Sequence, residues 1–279
     1  MEYIRTLSKA FDVGDRAALT IDSRSGSVIV RGDETQQVRV EVVARLWAES
    51  DEEADEQAEL IERGVQQEGE RVTIRAPALA RTGFLVILTR GPRIDYQVTV
   101  PHATKATITS RSGRVEVEHL REPLQAELRS GRIAVREIGA DTRIVSRSGG
   151  VQAESIEGAL TIESRSGVVR VRRCAGDVTV LSRSGLVQVE DVARKLKIES
   201  RTGAIRYDGD VHASFDISVR TGSVRLAVNP NSGFFLDAEA TTGMVRSDLP
   251  LRRDAPAPAA GGPTVRIRAR TGSIHIRPR

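Results

Sequence analysis

"IESRSGVVRV" (residues 162–171) reads as a strand, a kink at Gly167 and a second strand, with Arg165 beside the kink. Ile162, Val169 and Val171 alternate with polar neighbours, the period-2 pattern of a strand with one buried face. The phrase recurs along the chain. Glycines preceded by Ser or Thr fall at 26, 113, 131, 149, 167, 185, 203, 222, 243 and 272. From Gly113 to Gly203 the spacing is 18 residues five times running, and it then loosens to 19, 21 and 29. A fixed period of this kind marks a repeat architecture.

Aligning the rungs on glycine gives apolar columns. Two residues after it stand Val115, Ile133, Val151, Val169, Val187, Ile205 and Val224, and four after it Val117, Val135, Ala153, Val171, Val189, Tyr207 and Leu226. Leu120, Ile138, Ile156, Cys174 and Val192 follow at seven, and Ala126, Ile144, Ile162, Val180 and Ile198 at thirteen. No rung holds a helix-length segment, and one rung alone has too small an apolar face to be stable. A closed 18-residue coil has a contour of roughly 60 Å at about 3.3 Å per residue, which suits three short sides joined by tight corners. Coils stacked about 4.8 Å apart bury the columns as ladders. An up-and-down meander would need two turn signals per period, and only the Ser-Gly corner is strong. The expected fold is all-β: a parallel β-helix (β-solenoid) of about 18-residue rungs with a small N-terminal α/β capping region.

The expected organisation is a cap over residues 1–100 and solenoid repeats over 101–279. Within the repeats, the Pro/Ala/Gly stretch "RRDAPAPAAGG" marks a flexible loop at about 251–263 before a last rung at 264–279. In the cap, "AALTIDSRSGSVIVRGD" (17–33) is one rung and "QVRVEVVARLW" (37–47) a longer strand. Ser50 and Glu53 form a capping box for an acidic helix at about 50–64, with Ala54, Ala58, Ile61 and Val65 on one face. "RVTIRA" (71–76) and "IDYQVTV" (94–100) are further strands. The cap would cover an open sheet edge that otherwise invites pairing. The C-terminal "IHIRPR", with its charges and Pro278, reads as a blunted edge.

Aromatics are 3% of the 279 residues, so the core is built from small and β-branched side chains. A net charge of +4 permits an anionic partner without demanding one. No lysine-rich tail or aromatic-basic cluster points to nucleic acid. The longest apolar run, "FLVIL" at 84–88, is far short of a bilayer span, and the N-terminal "MEYIRTLSKAFDVGD" has no signal-peptide core. A cytoplasmic location is therefore expected. One cysteine excludes an internal disulfide.

"LTIDSRSGSVIV", the strand–acidic helix–strand insertion, "IDYQVTVP" (94–101) and the iterated S-R-S-G-x-V-x-V together resemble a bacterial family of β-strand-repeat domains of unknown function, labelled adhesin or toast-rack domains. The resemblance spans nearly the whole chain. It implies architecture and an association with the cell envelope, and it supplies no catalytic residues.

Gly113, Gly131, Gly149, Gly167, Gly185, Gly203 and Gly222 are the expected structural corners, where a residue free to take positive φ is needed. Counting back from glycine places the preceding Ser or Thr inward. Arg is expected outward: Arg111, Arg129, Arg147, Arg165, Arg183, Arg201 and Arg220 are the candidate binding column, with Arg24 and Arg270 at equivalent places and Thr241 the exception. The tripeptide Arg81-Thr82-Gly83 fits the phrase, but the apolar run after it does not. Like charges about 4.8 Å apart in water repel by about 0.9 kcal/mol per neighbour before salt screening, so a ladder of arginines calls for an offset. Two residues before Arg, glutamate appears in alternate rungs (Glu127, Glu163, Glu199), and five after Gly the column Glu118, Arg136, Glu154, Arg172, Glu190 and Asp208 largely alternates in sign. The arginines either pair with those glutamates and cover apolar surface, or dock a repeating polyanion.

No catalytic, metal or cofactor site is expected. Cys174 stands in an aliphatic column, and His102, His119, His212 and His275 share no column. Glu118 and Glu154 lie two rungs apart in sequence, but Arg136 intervenes and the pattern recurs at Glu190, whereas an active site would break the repeat once. The expected function is a non-enzymatic, adhesin-like binding module docking an anionic polymer or envelope surface. The alternatives are a self-associating scaffold, like the bactofilin β-helices, and a carbohydrate-active β-helix enzyme. Partners left open are a polyanion, an envelope surface, another protein and a second copy.

Overall fold

Period-2 alternation becomes strand along nearly all of the described chain. The computed structural model describes residues 1–77, 92–249 and 262–279. The expected loop at 251–263 lies almost wholly outside the described residues, as do Arg81-Thr82-Gly83 and the run at 84–88. The chain divides into two compact units, Met1–Ala134 and Val135–Arg279, and the boundary falls within strand β8 (Leu124–Ile138).

In the first unit, the 17–33 rung is β2 (Arg16–Asp33), paired in parallel with β7 (Ala103–Leu120) so that Gly26 faces Gly113. On its other side two short parallel strands share the rung: β5 (Arg71–Arg75) along Ala18–Asp22 and β6 (Arg93–Pro101) along Val28–Asp33. Beyond β6 the direction reverses. The long strand β3 (Gln37–Trp47) is antiparallel to β6, β1 (Glu2–Asp12) is antiparallel to β3, and β4 (Val65–Glu68) is antiparallel to β5. Helix α1 (Asp51–Arg63) starts where the Ser50 side chain accepts a hydrogen bond from the Glu53 amide, and the Glu53 carboxylate accepts one from the Glu49 amide. It buries Ala54, Ala58 and Ile61. Its acidic surface lies on β1, where Arg5 contacts Asp51 and Asp55, each at 2.7 Å, and Lys9 contacts Glu62. Strand β1 escapes the sequence reading because charged Arg5 and Lys9 interrupt its half-buried face of Tyr3, Leu7 and Phe11.

The second unit is a parallel stack. Strands β9 (Thr142–Ile156), β10 (Leu160–Cys174), β11 (Val178–Val192), β12 (Leu196–Gly209) and β13 (Phe215–Val228) pair in sequence order and in one register, with glycine opposite glycine. This parallel pairing excludes the meander. Two more rungs follow, β14 (Phe235–Ser247) and β15 (Thr264–Pro278), and they exchange places. Strand β15 pairs with β13 on one side and β14 on the other, so β14 is outermost. The C-terminal rung is therefore not the edge: Pro278 faces Val228 inside the stack.

Each rung turns three corners. The first is glycine, as at Gly167 with φ +130°. The second, six residues later, falls on His119, Glu137, Ser155, Arg173 and Asp191, all with φ between 50° and 61°. Left-handed backbone costs a residue with a Cβ roughly 1–2 kcal/mol, which the ladders on both sides offset. At the third corner, a side chain ties successive rungs: Asp141 accepts from the Ala159 amide at 2.9 Å, and Asp177 from the Lys195 amide at 3.2 Å.

Between corners the interior is the set of columns read from the sequence. In the 160–174 rung, Leu160, Ile162, Val169, Val171 and Cys174 are buried, each aliphatic contributing roughly 1.5–3 kcal/mol. Tyr207 and Phe215 fill the wider space where the spacing lengthens to 19, with ring centres 4.8 Å apart and the Tyr207 hydroxyl donating to the Asp210 carbonyl.

The inward serine differs from the expected one. Ser146, Ser164, Ser182 and Ser200, one position before each arginine, are buried, whereas Ser166 and Ser184, just before glycine, are half-exposed. The kink breaks alternation, so counting back from glycine gives the wrong parity.

Candidate functional site: an arginine-lined groove

The phrase Ser-Arg-Ser-Gly makes a local irregularity that throws its arginine outward. Pairing between β10 and its neighbours runs through Ser164, skips Arg165 and resumes at Ser166. The arginine carbonyl, set free from the regular ladder, is caught by the next rung: Ser166 Oγ donates to the Arg147 carbonyl and Ser184 Oγ to that of Arg165, each at 3.2 Å. The second serine thus explains the kink's stability. It does not require arginine before it, since only that residue's backbone is used.

In the second unit Arg147, Arg165, Arg183, Arg201, Arg220 and Arg270 are all exposed and line one groove of about 1150 Å³. They occupy six consecutive rungs, because β15 sits against β13. Thr241, which looks like a gap in the sequence series, belongs to outermost β14 and ends the row. The groove wall two residues before each arginine alternates in character: Val145, Glu163, Leu181, Glu199 and Ser218, with Leu181 37% exposed. In the first unit Arg24, Arg111 and Arg129 hold the equivalent exposed place beside their own kinks.

The alternate glutamates do not neutralise the row. Glu163 is paired with Arg143, one rung back and diagonally placed, and Glu199 with Lys197 at 2.9 Å. Among the described residues none of the six groove arginines has an ion pair or side-chain hydrogen bond. The adjoining outward face behaves otherwise. There Arg172 pairs with Glu190 at 3.0 Å, Arg173 with Glu154 at 2.6 Å, and Arg279 with Asp208 at 3.0 Å. The adjoining face is compensated in part, Arg170 and Arg206 standing outside those pairs, whereas the groove row is a ladder of like charge with no ion pair among the described residues. Where the groove ends, Arg268 contacts Asp237 at 2.7 Å and holds that carboxyl below the usual carboxylate range.

Beneath the groove floor, Ser146, Ser164 and Ser200 have buried hydroxyls with no hydrogen-bond partner among the described residues. A rung spacing of about 4.8 Å is too long for serine to bond serine directly.

Groups suited to chemistry lie apart. Cys174 is buried between Ile156 and Val192, and burial pushes its thiol up to about 11. His102 contacts the His119 carbonyl and His275 contacts Asp248, each within its own unit. Glu154 and Glu190 are held in ion pairs. Among the described residues no cluster of three or more His, Cys, Asp or Glu could hold a metal, and no helix is long and apolar enough to cross a membrane.

The sequence profile of the family described as Toastrack DUF4097 matches residues 16–276. No curated protein matches the chain. Among solved structures, the chain is similar to a "putative cell adhesion protein" from Clostridium sporogenes, at 10% identity over 99% of this chain and 100% of that one, with a TM-score of 0.25. It is also similar to a "putative adhesin" from Bacteroides fragilis, at 12% identity over 99% of this chain and 97% of the other, with a TM-score of 0.42.

Proposed function

The chain belongs to the Toastrack family, and we propose that this member is a non-enzymatic, adhesin-like binding module whose arginine groove docks an anionic polymer. One observation carries the reading: six consecutive exposed arginines in a groove have no ion pair among the described residues, while Arg172 and Arg173 on the neighbouring face of the same rungs do. A fold that needed these arginines for itself would satisfy them. The guanidinium fork suits carboxylate and phosphate, and a row of forks gains avidity from a polymer that presents anions repeatedly. The test is binding of the intact protein to polyuronate, polyphosphate, anionic liposomes, DNA and neutral dextran across a salt series. We expect binding to at least one polyanion that weakens steeply with salt, and none to dextran. Absence of binding to every polyanion at low salt would remove the reading.

A second reading rests on β14. This outermost strand leaves Phe235 40%, Met244 68% and Val245 42% exposed, and its outer side pairs with no strand among the described residues. An open edge bearing apolar side chains is a template for another strand. A second copy offering the same edge would close a two-fold dimer, the starting point for a self-associating scaffold. Sedimentation velocity should then show a concentration-dependent dimer that Val245→Lys abolishes. Wild-type protein that stays monomeric at high concentration would dispose of it.

A further inference from the structure

We infer a second, small-ligand site on the adjoining face of the second unit: a pocket at Ala227 that takes the phosphate monoester of a sugar-sized polyol. It shares no residue with the arginine groove. Five residues after each corner glycine, nine of the ten rungs carry a charged side chain, and the exception is Ala227. The repeat therefore breaks once in this column, and a methyl group among long neighbours leaves a hollow. Ala227 is 6% exposed and floors a cavity of about 330 Å³, at the small end of ligand pockets. Register fixes what surrounds it. Asp208 of β12 and Arg277 of β15 are its partners across the ladder, and Arg225 stands two residues earlier on β13. His275, which faces Arg225 across the ladder, completes the wall and contacts Asp248 at 2.7 Å.

The charges around the hollow are unequally committed. Asp208 is paired with Arg279 at 3.0 Å, and Glu190, also in the wall, with Arg172 at 3.0 Å. Arg225 and Arg277 are exposed, and among the described residues neither has an ion pair or side-chain hydrogen bond. Two uncommitted guanidiniums thus border one hollow from diagonal positions on neighbouring rungs. A carboxylate is filled by a single fork. A phosphate monoester offers three oxygens and a charge of roughly −1.5 to −2, enough for two. The paired carboxylates keep lone pairs that accept hydrogen bonds from hydroxyls, so the body of the ligand is a polyol. The volume holds that body to about the size of one sugar.

The experiment is calorimetric titration of the intact protein with glucose-6-phosphate, inorganic phosphate, glucuronate and glucose at matched ionic strength. Glucose-6-phosphate should bind with a dissociation constant below about 1 mM, tighter than phosphate or glucuronate, and glucose should not bind. Arg225→Gln and Arg277→Gln should each weaken it about tenfold, the loss of one charged hydrogen-bonding contact. Ala227→Glu should abolish binding by filling the hollow. The stack accommodates that side chain, since the same column carries it at Glu118, Glu154 and Glu190. The combined groove variant Arg147→Gln, Arg165→Gln and Arg183→Gln should bind glucose-6-phosphate like the wild type, which separates this site from polyanion docking. No binding by the wild type, full binding by Ala227→Glu, or loss in the groove variant alone would overturn the site. Phosphate or glucuronate binding as tightly as glucose-6-phosphate would overturn the sugar-phosphate assignment.

Discussion

Gly167→Ala should cost more than about 4 kcal/mol and remove the cooperative unfolding transition of the repeat, an effect at the extreme of single substitutions. Two causes act together. The backbone at Gly167 has φ +130°, which side-chain-bearing residues rarely adopt. A Cβ there would also stand 1.8 Å from the carbonyl oxygen of Gly149 and 2.8 Å from its carbon, both backbone atoms of the preceding rung. That rung cannot retreat, because β9 and β10 are paired in one register on both sides of the corner. Gly185 stands against Gly167 in the same way, so a shift at one corner presses on the next. Domains of ordinary size have roughly 5–15 kcal/mol in total, so little margin survives the loss. Gly69→Ala is the control: φ is +59° and nothing lies within 4 Å of the added Cβ, so about 1 kcal/mol is expected. Urea titration followed by circular dichroism distinguishes the two. A Gly167→Ala midpoint close to that of Gly69→Ala would mean that the rungs slide freely past one another, contrary to this account.

What the sequence made legible follows from which features leave a residue-type signature. Glycine corners and apolar columns do, so the 18-residue coil, the parallel stack and the boundaries of β3 and α1 could be read directly. The second corner does not, because His119, Glu137, Ser155, Arg173 and Asp191 share a backbone conformation and no side-chain chemistry. The exchange of β14 and β15 was also hidden, although its physical reason lies in composition. Strand β15 offers Val265, Ile267, Ile274 and Ile276 to the interior, whereas β14 offers Leu236, Ala238, Ala240, Val245 and Ser247. The strand with the larger apolar set takes the position buried on both sides, and the poorer one takes the edge. At the site, the arginine row was visible but its electrostatic state was not. Glutamate in alternate rungs suggested compensation, and only three-dimensional placement shows Glu163 turned to Arg143 and Glu199 to Lys197.

That electrostatic state allows a decisive comparison between two triple variants of equal charge. Arg147→Gln, Arg165→Gln and Arg183→Gln together remove half of the groove row, while Arg170→Gln, Arg172→Gln and Arg206→Gln remove three cations from the adjoining face. Each lowers net charge by the same three units, so any effect of overall charge falls on both alike. The groove variant should lose roughly 100-fold in affinity for the bound polyanion, from three contacts at about 1 kcal/mol each, and its melting temperature should hold or rise as like-charge repulsion is relieved. The adjoining-face variant should keep nearly full affinity. Its stability should fall slightly instead, since Arg172 gives up its contact with Glu190, which keeps the hydrogen bond from Gln188. Equal losses of affinity would show that attraction is diffuse and that the row is no site. A groove variant that melts early while binding normally would show that the arginines serve the fold through their aliphatic stems, and that the unpaired charge is incidental to it.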